Sequence, residues 1–364
     1  MTQPRIFEGL EGVLVSRTQL SSVDGAAGQL VVRGRAIEAL VSEVAFESMV
    51  GLLLDGALPG ASALAARQAE LGAARVRAHA WLEPRFEAIA ASDAMTTLRS
   101  ALSLLPSEAT AADALGMAAV ATAAWIRRAR GGQLPAPKPG LPHAHDLLRM
   151  LSGGEPVDGA ARLLDAYLVT VAEHGFNAST FAARVTASTG ADLAAAMVSG
   201  VATLSGPLHG GAPGPVLDML DAVGSAEHAG DYVRAELAAG RRIMGMGHRV
   251  YRVRDPRAFV LERALSLYRS GQGESSRLAL ARAVEAAAEA ELARKYPERA
   301  LRANVEFYTA LLLEALDVPR GAFTAIFACA RIAGYAAHYA EQRQSGRLIR
   351  PSALYVGELP SVSG

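Results

Sequence analysis

The sequence has few cysteines, lysines and aromatic residues. Its 364 residues include one cysteine, two lysines and 5% aromatic side chains. A single thiol leaves neither a disulfide framework nor a cysteine-based metal site. Cys329 lies in the apolar run "TAIFACARIAG", which predicts a buried structural thiol and not a nucleophile.

The chain also lacks net charge, because 36 Lys and Arg residues balance 36 Asp and Glu residues. The protein then has no overall electrostatic field that could hold nucleic acid or an anionic membrane, so an anionic ligand must bind to a local cluster of basic residues. The N-terminus lacks the pattern of a signal peptide, and the best membrane candidate, 111–126, is short and contains Asp113. We expect a cytoplasmic protein with no nucleic-acid or membrane partner.

The apolar residues, 51% of the chain, are arranged mainly with helical periodicity. Near the N-terminus, two β-branched stretches joined by Asp24 and Gly25 predict a small β-hairpin. From residue 36 onward, apolar residues recur at three- and four-residue spacing, in segments that end at Gly or Pro. The sequence therefore predicts an all-α protein of roughly fifteen helices.

A change of composition predicts two domains. Residues 211–317 are rich in charge, whereas their flanks are apolar and rich in small side chains. We expect a small helical domain at 211–317, inserted into a large helical domain formed by 1–210 and 318–364. The chain crossings near Gly210 and residue 317 would be hinges, with a ligand cleft between the domains.

The segment "GPLHGGAPGPVLDML", 206–220, places His209 in a loop just before a predicted helix. The positive end of a helix dipole favours a neutral imidazole, which can donate a hydrogen bond to a carbonyl group. A purely structural histidine is an equally good interpretation of this segment alone.

The segment "MGMGHRVYRVRDPR", 244–257, combines glycines, a histidine and arginines. Gly245 and Gly247 leave room for a ligand close to the backbone before His248. The guanidinium groups that follow suit phosphates or carboxylates, and they include Arg252 and Arg257. The alternative is a solvated arginine-rich face.

Other polar residues stand at the edges of apolar helices. Glu306 is either a partly desolvated general base or an ordinary acid of a first helical turn, and the sequence slightly favours the latter. His174 precedes an apolar helix, and Arg331 interrupts one, where a buried arginine needs an anion. Arg350 precedes a proline on a tail that could reach a neighbouring subunit. The pair in "PHAHD", 142–146, has no third ligand, so no metal site is predicted.

Zinc-site, P-loop, dinucleotide-binding and Ser-His-Asp patterns explain none of these segments. Taken in order, "AEHGFNAST", "GPLHGGA", "GMGHRVYRVRDPRA", "NVEFYTALLL", "ACARIAG" and "RLIRPSALYVG" closely resemble the citrate synthase family, which includes 2-methylcitrate synthases. The resemblance covers essentially the whole chain. It implies a large and a small helical domain, an active site in the cleft between them, and at least a homodimer.

The resemblance also implies roles for individual residues. His209 would hydrogen-bond the thioester oxygen of acetyl-CoA, His248 would polarise the ketone of oxaloacetate, and Glu306 would remove the methyl proton. The implied ligands of the substrate carboxylates are His174, Arg257, Arg331 and Arg350 of the neighbouring subunit. Arg252 would contact the phosphates of CoA, next to Gly245 and Gly247. The CoA thioester is a substrate, and no permanently bound cofactor is implied.

Glu306 departs from the family pattern, in which this residue is normally Asp. Its side chain is one methylene longer, and a positioning error of about 1 Å can cost on the order of 10²-fold in rate. Either the backbone has shifted to compensate, or activity is poor. Two alternatives stand beside citrate formation, and Glu306 motivates only the second of them. One is a 2-methylcitrate synthase that uses propionyl-CoA, and the other is a weakly active or inactive homologue that binds ligands as a regulator.

Overall fold

A computed structural model of the chain describes residues 6–10, 12–209, 213–270 and 276–358. Its first half carries helices α1 (Ile37–Glu43), α2 (Phe46–Asp55), α3 (Ala61–Leu82), α4 (Phe86–Ile89), α5 (Ala94–Leu102), α6 (Ala111–Ala129), α7 (His143–Ser152) and α8 (Ala160–Val171).

The second half is also helical. It carries α9 (Ala178–Ser188), α10 (Leu193–Leu204), α11 (Pro213–Val223), α12 (Ala229–Ala238), α13 (Pro256–Ser270), α14 (Ser276–Lys295), α15 (Val305–Ala315) and α16 (Phe323–Ser345). The predicted all-α fold is confirmed. The described residues form sixteen α-helices, and roughly fifteen were predicted. Within the described ranges, no helix is long and apolar enough to cross a membrane.

The predicted N-terminal hairpin is present, and a short third strand extends it. Strands β1 (Ser21–Asp24), β2 (Gln29–Val32) and β3 (Arg35–Ala36) pair in antiparallel order, with Ser21 opposite Val32. Asp24 shapes the first turn, because its Oδ1 accepts hydrogen bonds from the N–H groups of Ala26 and Ala27 at 3.0 and 2.9 Å. The two-residue β3 carried no signal of its own.

Helices α6 and α16 form the centre of the core. Helix α6 packs against α3, α5, α7 and α16, while α16 also packs against α9 and α10. Thr110 and Asp113 cap α6 reciprocally, which satisfies two of its free N–H groups. A Cβ on Gly116 would lie 2.7 Å from the backbone of Ala74, so glycine is what allows α6 and α3 to approach so closely. Cys329 is buried here, as predicted.

The "PHAHD" segment belongs to a buried ion-pair cluster. Nε of Arg75 donates to Asp146 at 2.8 Å, and Nη1 of Arg75 lies 3.1 Å from Nδ1 of His143. All three residues are fully buried. Burial, followed by the charge of Arg75, holds the pKa of His143 well below its ordinary value. This histidine is therefore a neutral core residue.

The segment predicted to be a small domain packs partly on itself. Helices α12 and α14 pack together, and α15 packs against α11 and α13. Helix α13 also packs against α8 and α1. The crossing predicted at Gly210 lies outside the described residues. At the other predicted crossing, Asp317 has a φ of 55°, a left-handed conformation that is uncommon for residues other than glycine.

Candidate active site

His209 lies against the N-terminus of α9. Its Nε2 is 2.7 Å from the Oγ of Ser179, and the backbone N–H of Ser179 donates to the same nitrogen at 3.4 Å. Asn177, the N-cap of α9, already accepts from the N–H groups of Ser179 and Thr180. The Ser179 hydroxyl also donates to this Asn177 oxygen at 2.8 Å, so the backbone bond decides the tautomer. A backbone N–H can only donate, which makes Nε2 an acceptor and leaves the proton of a neutral ring on Nδ1.

The His209 ring is neutral at pH 7. Burial lowers its pKa, and the charges of Arg331 and Arg249 lower it further. The sequence predicted this neutral state from the helix that follows His209. In the structure, the helix N-terminus against the ring is that of α9, and residues 210–212 are outside the described part of the chain.

His248 is enclosed by the loop that follows it. Its Nδ1 accepts hydrogen bonds from the N–H groups of Val250 and Tyr251 at 3.0 and 3.1 Å. Burial, followed by the charge of Arg257, lowers the pKa of His248 to about 4. The ring is therefore neutral, and its proton lies on Nε2, which is free to act as a donor.

His174 stands beside His248, because their ring centroids are 5.6 Å apart. Its Nε2 lies 3.1 Å from the hydroxyl of Tyr251. Burial, and then the charges of Arg257 and Arg331, hold the pKa of His174 well below its ordinary value. The structure thus brings together two neutral histidines from distant parts of the sequence.

Arg257 is buried and held by Asp255. Nε and Nη2 of Arg257 donate to the Asp255 carboxylate at 3.1 and 2.7 Å. Nη2 also lies 3.4 Å from Nε2 of His248. Both nitrogens carry protons when the histidine has the tautomer inferred above, so they cannot bond to each other. They are instead two neighbouring donors that can bind acceptor oxygens of the same ligand.

Glu306 lies in the first turn of α15, capped by Asn304, which accepts the Glu306 N–H at 3.0 Å. The side chain is partly buried, and burial raises its pKa to about 7 although Arg257 and Arg331 act in the opposite direction. The burial of this carboxyl group favours the general-base interpretation over that of an ordinary first-turn acid. The carboxyl group has the pKa that a general base near neutral pH requires.

Arg331 is buried, and none of the described residues offers it a carboxylate hydrogen bond. Its Nε donates to the carbonyl of Val171 at 2.7 Å, its guanidinium lies 4.6 Å from the ring centroid of Phe327, and its Nη2 has no hydrogen-bond partner in the described ranges. Burial lowers its pKa from the ordinary value. An unpaired buried guanidinium is costly, and an anionic ligand would supply the missing partner, as the sequence indicated.

The predicted CoA-binding residues lie along one loop. Gly245 and Gly247 have φ values of 74° and 87°, which favour glycine for backbone reasons alone. A Cβ on Gly245 would also lie 2.8 Å from the Phe307 ring. Arg252 is exposed and available to a ligand. Arg254 is instead paired with Glu262 and Glu285, so it stabilises the loop.

Arg350 is the one predicted site residue on the exposed tail beyond α16. It lines a groove of about 500 Å³ together with Phe181 and Leu348. In the described part of this single chain, no group of three His, Cys, Asp or Glu side chains could hold a metal ion.

Sequence reasoning missed the residues that orient the others. Ser179, Asp255, Tyr251 and Asn304 each contact a predicted site residue. The spacing of Asn177 and Ser179 suggests a helix cap, and Asp255 precedes Pro256 at the start of α13. Each signal predicts a helix start but gives no sign of the distant side chain that the residue contacts.

The fold and the site define a helical protein with a carboxyl group of raised pKa, neutral histidines and buried arginines in one place. A model of the family described as citrate synthase, C-terminal domain, matches residues 9–352. The citrate synthase of Haloferax volcanii is 39% identical over 371 residues, which span 96% of this chain and 95% of that protein. The chain belongs to the citrate synthase family, a family of enzymes.

Solved structures agree with this assignment. The crystal structure of citrate synthase from Thermotoga maritima superposes with a TM-score of 0.86 at 33% identity, covering 98% of this chain and 97% of that chain. A ternary complex of carboxymethyl coenzyme A and oxaloacetate with citrate synthase from Thermoplasma acidophilum has a TM-score of 0.87 at 25% identity, with coverage of 98% and 97%.

Proposed function

We propose that the protein condenses acetyl-CoA with oxaloacetate and hydrolyses the product to citrate and CoA. The observation that carries this proposal is the arrangement of one partly buried carboxyl group, Glu306, within reach of the charges of two buried arginines. Arg331 has a nitrogen without a partner among the described residues, and Nη2 of Arg257 lies 3.4 Å from Nε2 of His248. Removal of a proton next to a thioester requires a base and a neutral hydrogen-bond donor. Reaction of the resulting carbon with a dianionic keto acid requires cations that hold the acid in place. The family membership supports the same reaction.

Oxaloacetate binds first to the cationic side of the site. The unpartnered Nη2 of Arg331 and the donor of Arg257 take its carboxylates, assisted by His174. The Nε2–H of His248 donates to the ketone oxygen and makes the ketone carbon electrophilic. Arg257 is well suited to hold this geometry, because Asp255 fixes its guanidinium on two nitrogens.

Glu306 then removes a proton from the methyl group of acetyl-CoA. A thioester α-proton is a very weak acid, so the developing enolate oxygen needs a positioned donor. His209 supplies it from Nδ1, since Ser179 occupies Nε2. Removing one donor of this kind typically costs about 10²- to 10³-fold in rate.

The enol carbon attacks the ketone carbon, and the ketone oxygen gains a proton at the Nε2–H of His248 and becomes the hydroxyl group of citryl-CoA. The proton that Glu306 took from the methyl group balances the one that this oxygen gains. Water then cleaves the thioester, giving citrate and CoA. Acetyl-CoA, oxaloacetate and water are consumed, and citrate and CoA are formed, with no electron acceptor needed.

We extend the proposal to the architecture. Residues 211–317 form a small domain that closes on the large domain, 1–210 and 318–364, and expels water. Two copies form a homodimer in which Arg350 of each tail completes the site of the other copy. The exposed Arg252 contacts the CoA phosphates beside Gly245 and Gly247.

The experiment measures thiol release with oxaloacetate and either acetyl-CoA or propionyl-CoA. We expect release that depends on both substrates and that is lost in His209→Ala and His248→Ala. His228→Ala is the matched control, because His228 is exposed and its Nδ1 lies 3.2 Å from the hydroxyl of Ser225 in its own turn.

The remaining outcomes distinguish the alternatives. Faster release with propionyl-CoA than with acetyl-CoA would assign the 2-methylcitrate reaction. Absence of release with both thioesters would overturn the enzymatic proposal and leave a ligand-binding homologue. Glu306 is the feature that favours this last candidate, since its longer side chain replaces the usual Asp.

A further inference from the structure

The β1–β2 hairpin has no role in the reaction described so far, yet it touches the loops of two site histidines. One loop, 173–175, carries His174. The other, 248–253, begins with His248. These loops are more than 70 residues apart in the sequence, and the hairpin precedes both of them.

Strand β1 binds the first loop through Ser21. The Ser21 hydroxyl donates to Oε1 of Glu173 at 2.7 Å, and the N–H of Gly175 donates to both of these oxygens, at 3.0 Å to Ser21 and 2.7 Å to Glu173. Glu173 is fully buried. Gly175 has a φ of 65°, and a Cβ there would lie 3.2 Å from the Val23 side chain. Strand β1 therefore holds the residues on both sides of His174.

The hairpin turn binds the second loop through its backbone. The carbonyl of Gly25 accepts the N–H of Arg252 at 2.7 Å. The two preceding N–H groups of this loop donate to Nδ1 of His248. Three successive N–H groups are thus fixed, two by the histidine ring and one by the hairpin. Release of the third would free the loop to move away from the ring.

The turn and the loop are in backbone contact. A Cβ on Gly25 would lie 2.1 Å from the carbonyl oxygen of Val250. A Cβ on Gly28 would lie 2.5 Å from the side chain of Val253. These distances are too short for any side chain, so the glycines are what allow the hairpin to meet the loop.

We propose that the hairpin is a clamp that positions His174 and His248 relative to each other, with Ser21 and Gly25 as its positioning residues. The two loops also touch each other directly, through Nε2 of His174 and the hydroxyl of Tyr251, and the hairpin adds hydrogen bonds to the backbone of both loops. The clamp preorganises the keto-acid side of the site before any ligand binds, which reduces the ordering cost of binding.

The kinetic consequence rests on the proposed function. Loosening the clamp should raise the KM for oxaloacetate about tenfold, the effect of losing one hydrogen bond. The kcat should change by less than about threefold, because bound oxaloacetate restores the arrangement. If the hairpin only stabilised the fold, loosening it would lower the amount of folded enzyme, but it would not raise KM while leaving kcat nearly unchanged.

The main variant is Gly25→Ala, with Gly34→Ala as its matched control. Gly34 lies in the turn between β2 and β3 and has a φ of 79°, and a Cβ there would meet no described atom within 4 Å. Alanine strains the sheet there without touching either loop. Ser21→Ala is the second variant, which loosens the other loop and adds no bulk.

Hydrogen exchange gives a readout that needs no catalysis. We expect the amides of 250–252 to exchange at least about tenfold faster in Gly25→Ala than in the wild type, and to be unchanged in Gly34→Ala. In Ser21→Ala, the amide of Gly175 should exchange faster. Oxaloacetate affinity, measured by calorimetry, should fall in both hairpin variants.

Unchanged exchange at 250–252 in Gly25→Ala, or an equal increase in Gly34→Ala, would overturn the clamp. If Gly25→Ala does not fold, Ser21→Ala decides, since unchanged exchange at Gly175 with unchanged oxaloacetate KM would also overturn it. A wild type that neither binds oxaloacetate nor releases thiol would refute the proposed function, while the exchange measurements would still decide whether the hairpin holds the loops.

Discussion

The ionisation of Glu306 should control the rate of condensation. A general base acts only in its ionised form, and burial raises the pKa of this carboxyl group to about 7 from an ordinary value of 4.5. The rate should therefore rise with pH across neutrality. An ordinary glutamate would already be fully ionised at pH 6 and would give a flat profile there.

The size of the effect follows from one proton. With a pKa of about 7, roughly a tenth of the enzyme carries ionised Glu306 at pH 6, so kcat/KM for acetyl-CoA should be about tenfold below its plateau. Bound oxaloacetate brings negative charge to Arg257 and Arg331, whose charges otherwise lower this pKa. The midpoint in its presence should therefore lie at about 7 or higher.

The assay is thiol release at saturating oxaloacetate between pH 5.5 and 9, with Glu306→Gln as the comparison. The variant should lose about 10²- to 10⁴-fold in kcat, the usual contribution of a general base, and its residual rate should not show the same inflection. A wild-type midpoint near 4.5, or an unchanged inflection in Glu306→Gln, would refute the assignment of the base.

Four further results are expected. Ser179→Ala should lower kcat about tenfold with KM unchanged, because it removes one hydrogen bond behind the thioester donor; an unchanged kcat would contradict this role. Arg331→Met should remove the stabilisation by oxaloacetate, which at 100 times its Kd should stabilise only the wild type, by about 2.7 kcal/mol; equal stabilisation of the variant would contradict its role as a carboxylate ligand. Mixing Arg350→Ala with His248→Ala should restore about a quarter of wild-type activity if each tail completes the neighbouring site. Half of the dimers would contain one copy of each variant, and each of these dimers would hold one intact site. No recovery after verified subunit exchange would argue against the shared site. At pH 8, Glu306→Gln should exceed the wild type in free energy of unfolding by about 1–3 kcal/mol after allowance for partial exposure. The pKa of Glu306 is higher in the folded than in the unfolded state, so the wild type loses free energy of unfolding as the pH rises from 4.5 through 7. The Tm values of the wild type and of Glu306→Gln should therefore become equal at acidic pH.

The sequence predicted the fold class well because helix formation is encoded locally. Apolar periodicity and the Gly and Pro punctuation mark most helices before any packing is known. The two-residue strand β3 lay beyond this reasoning, since a strand so short carries no period and forms only because β2 lies beside it.

The site was predicted less completely, because a side chain's environment is set by distant residues. His209 was identified together with a helix N-terminus that keeps it neutral, but the helix in contact with the ring is α9, whose Ser179 lies 30 residues earlier in the sequence. Glu306 shows the same limit. A first-turn acid beside an apolar helix can be solvated or buried, and only the fold brings it within reach of the charges of Arg257 and Arg331.

The unfavourable features of the site are best explained together. Arg331 has a buried nitrogen without a partner among the described residues, Glu306 has a carboxyl group that resists ionisation, and Nη2 of Arg257 points a donor at the donor of His248. Each is costly in the ligand-free protein. A dicarboxylic keto acid supplies acceptors for Arg331, Arg257 and His248 at once, so the fold maintains these two costs as complementarity to a ligand. The cost at Glu306 is not relieved by the keto acid, and it keeps the carboxyl group able to accept a proton. The hairpin contacts matter for the same reason, since donors aimed at an absent ligand would otherwise relax away from one another.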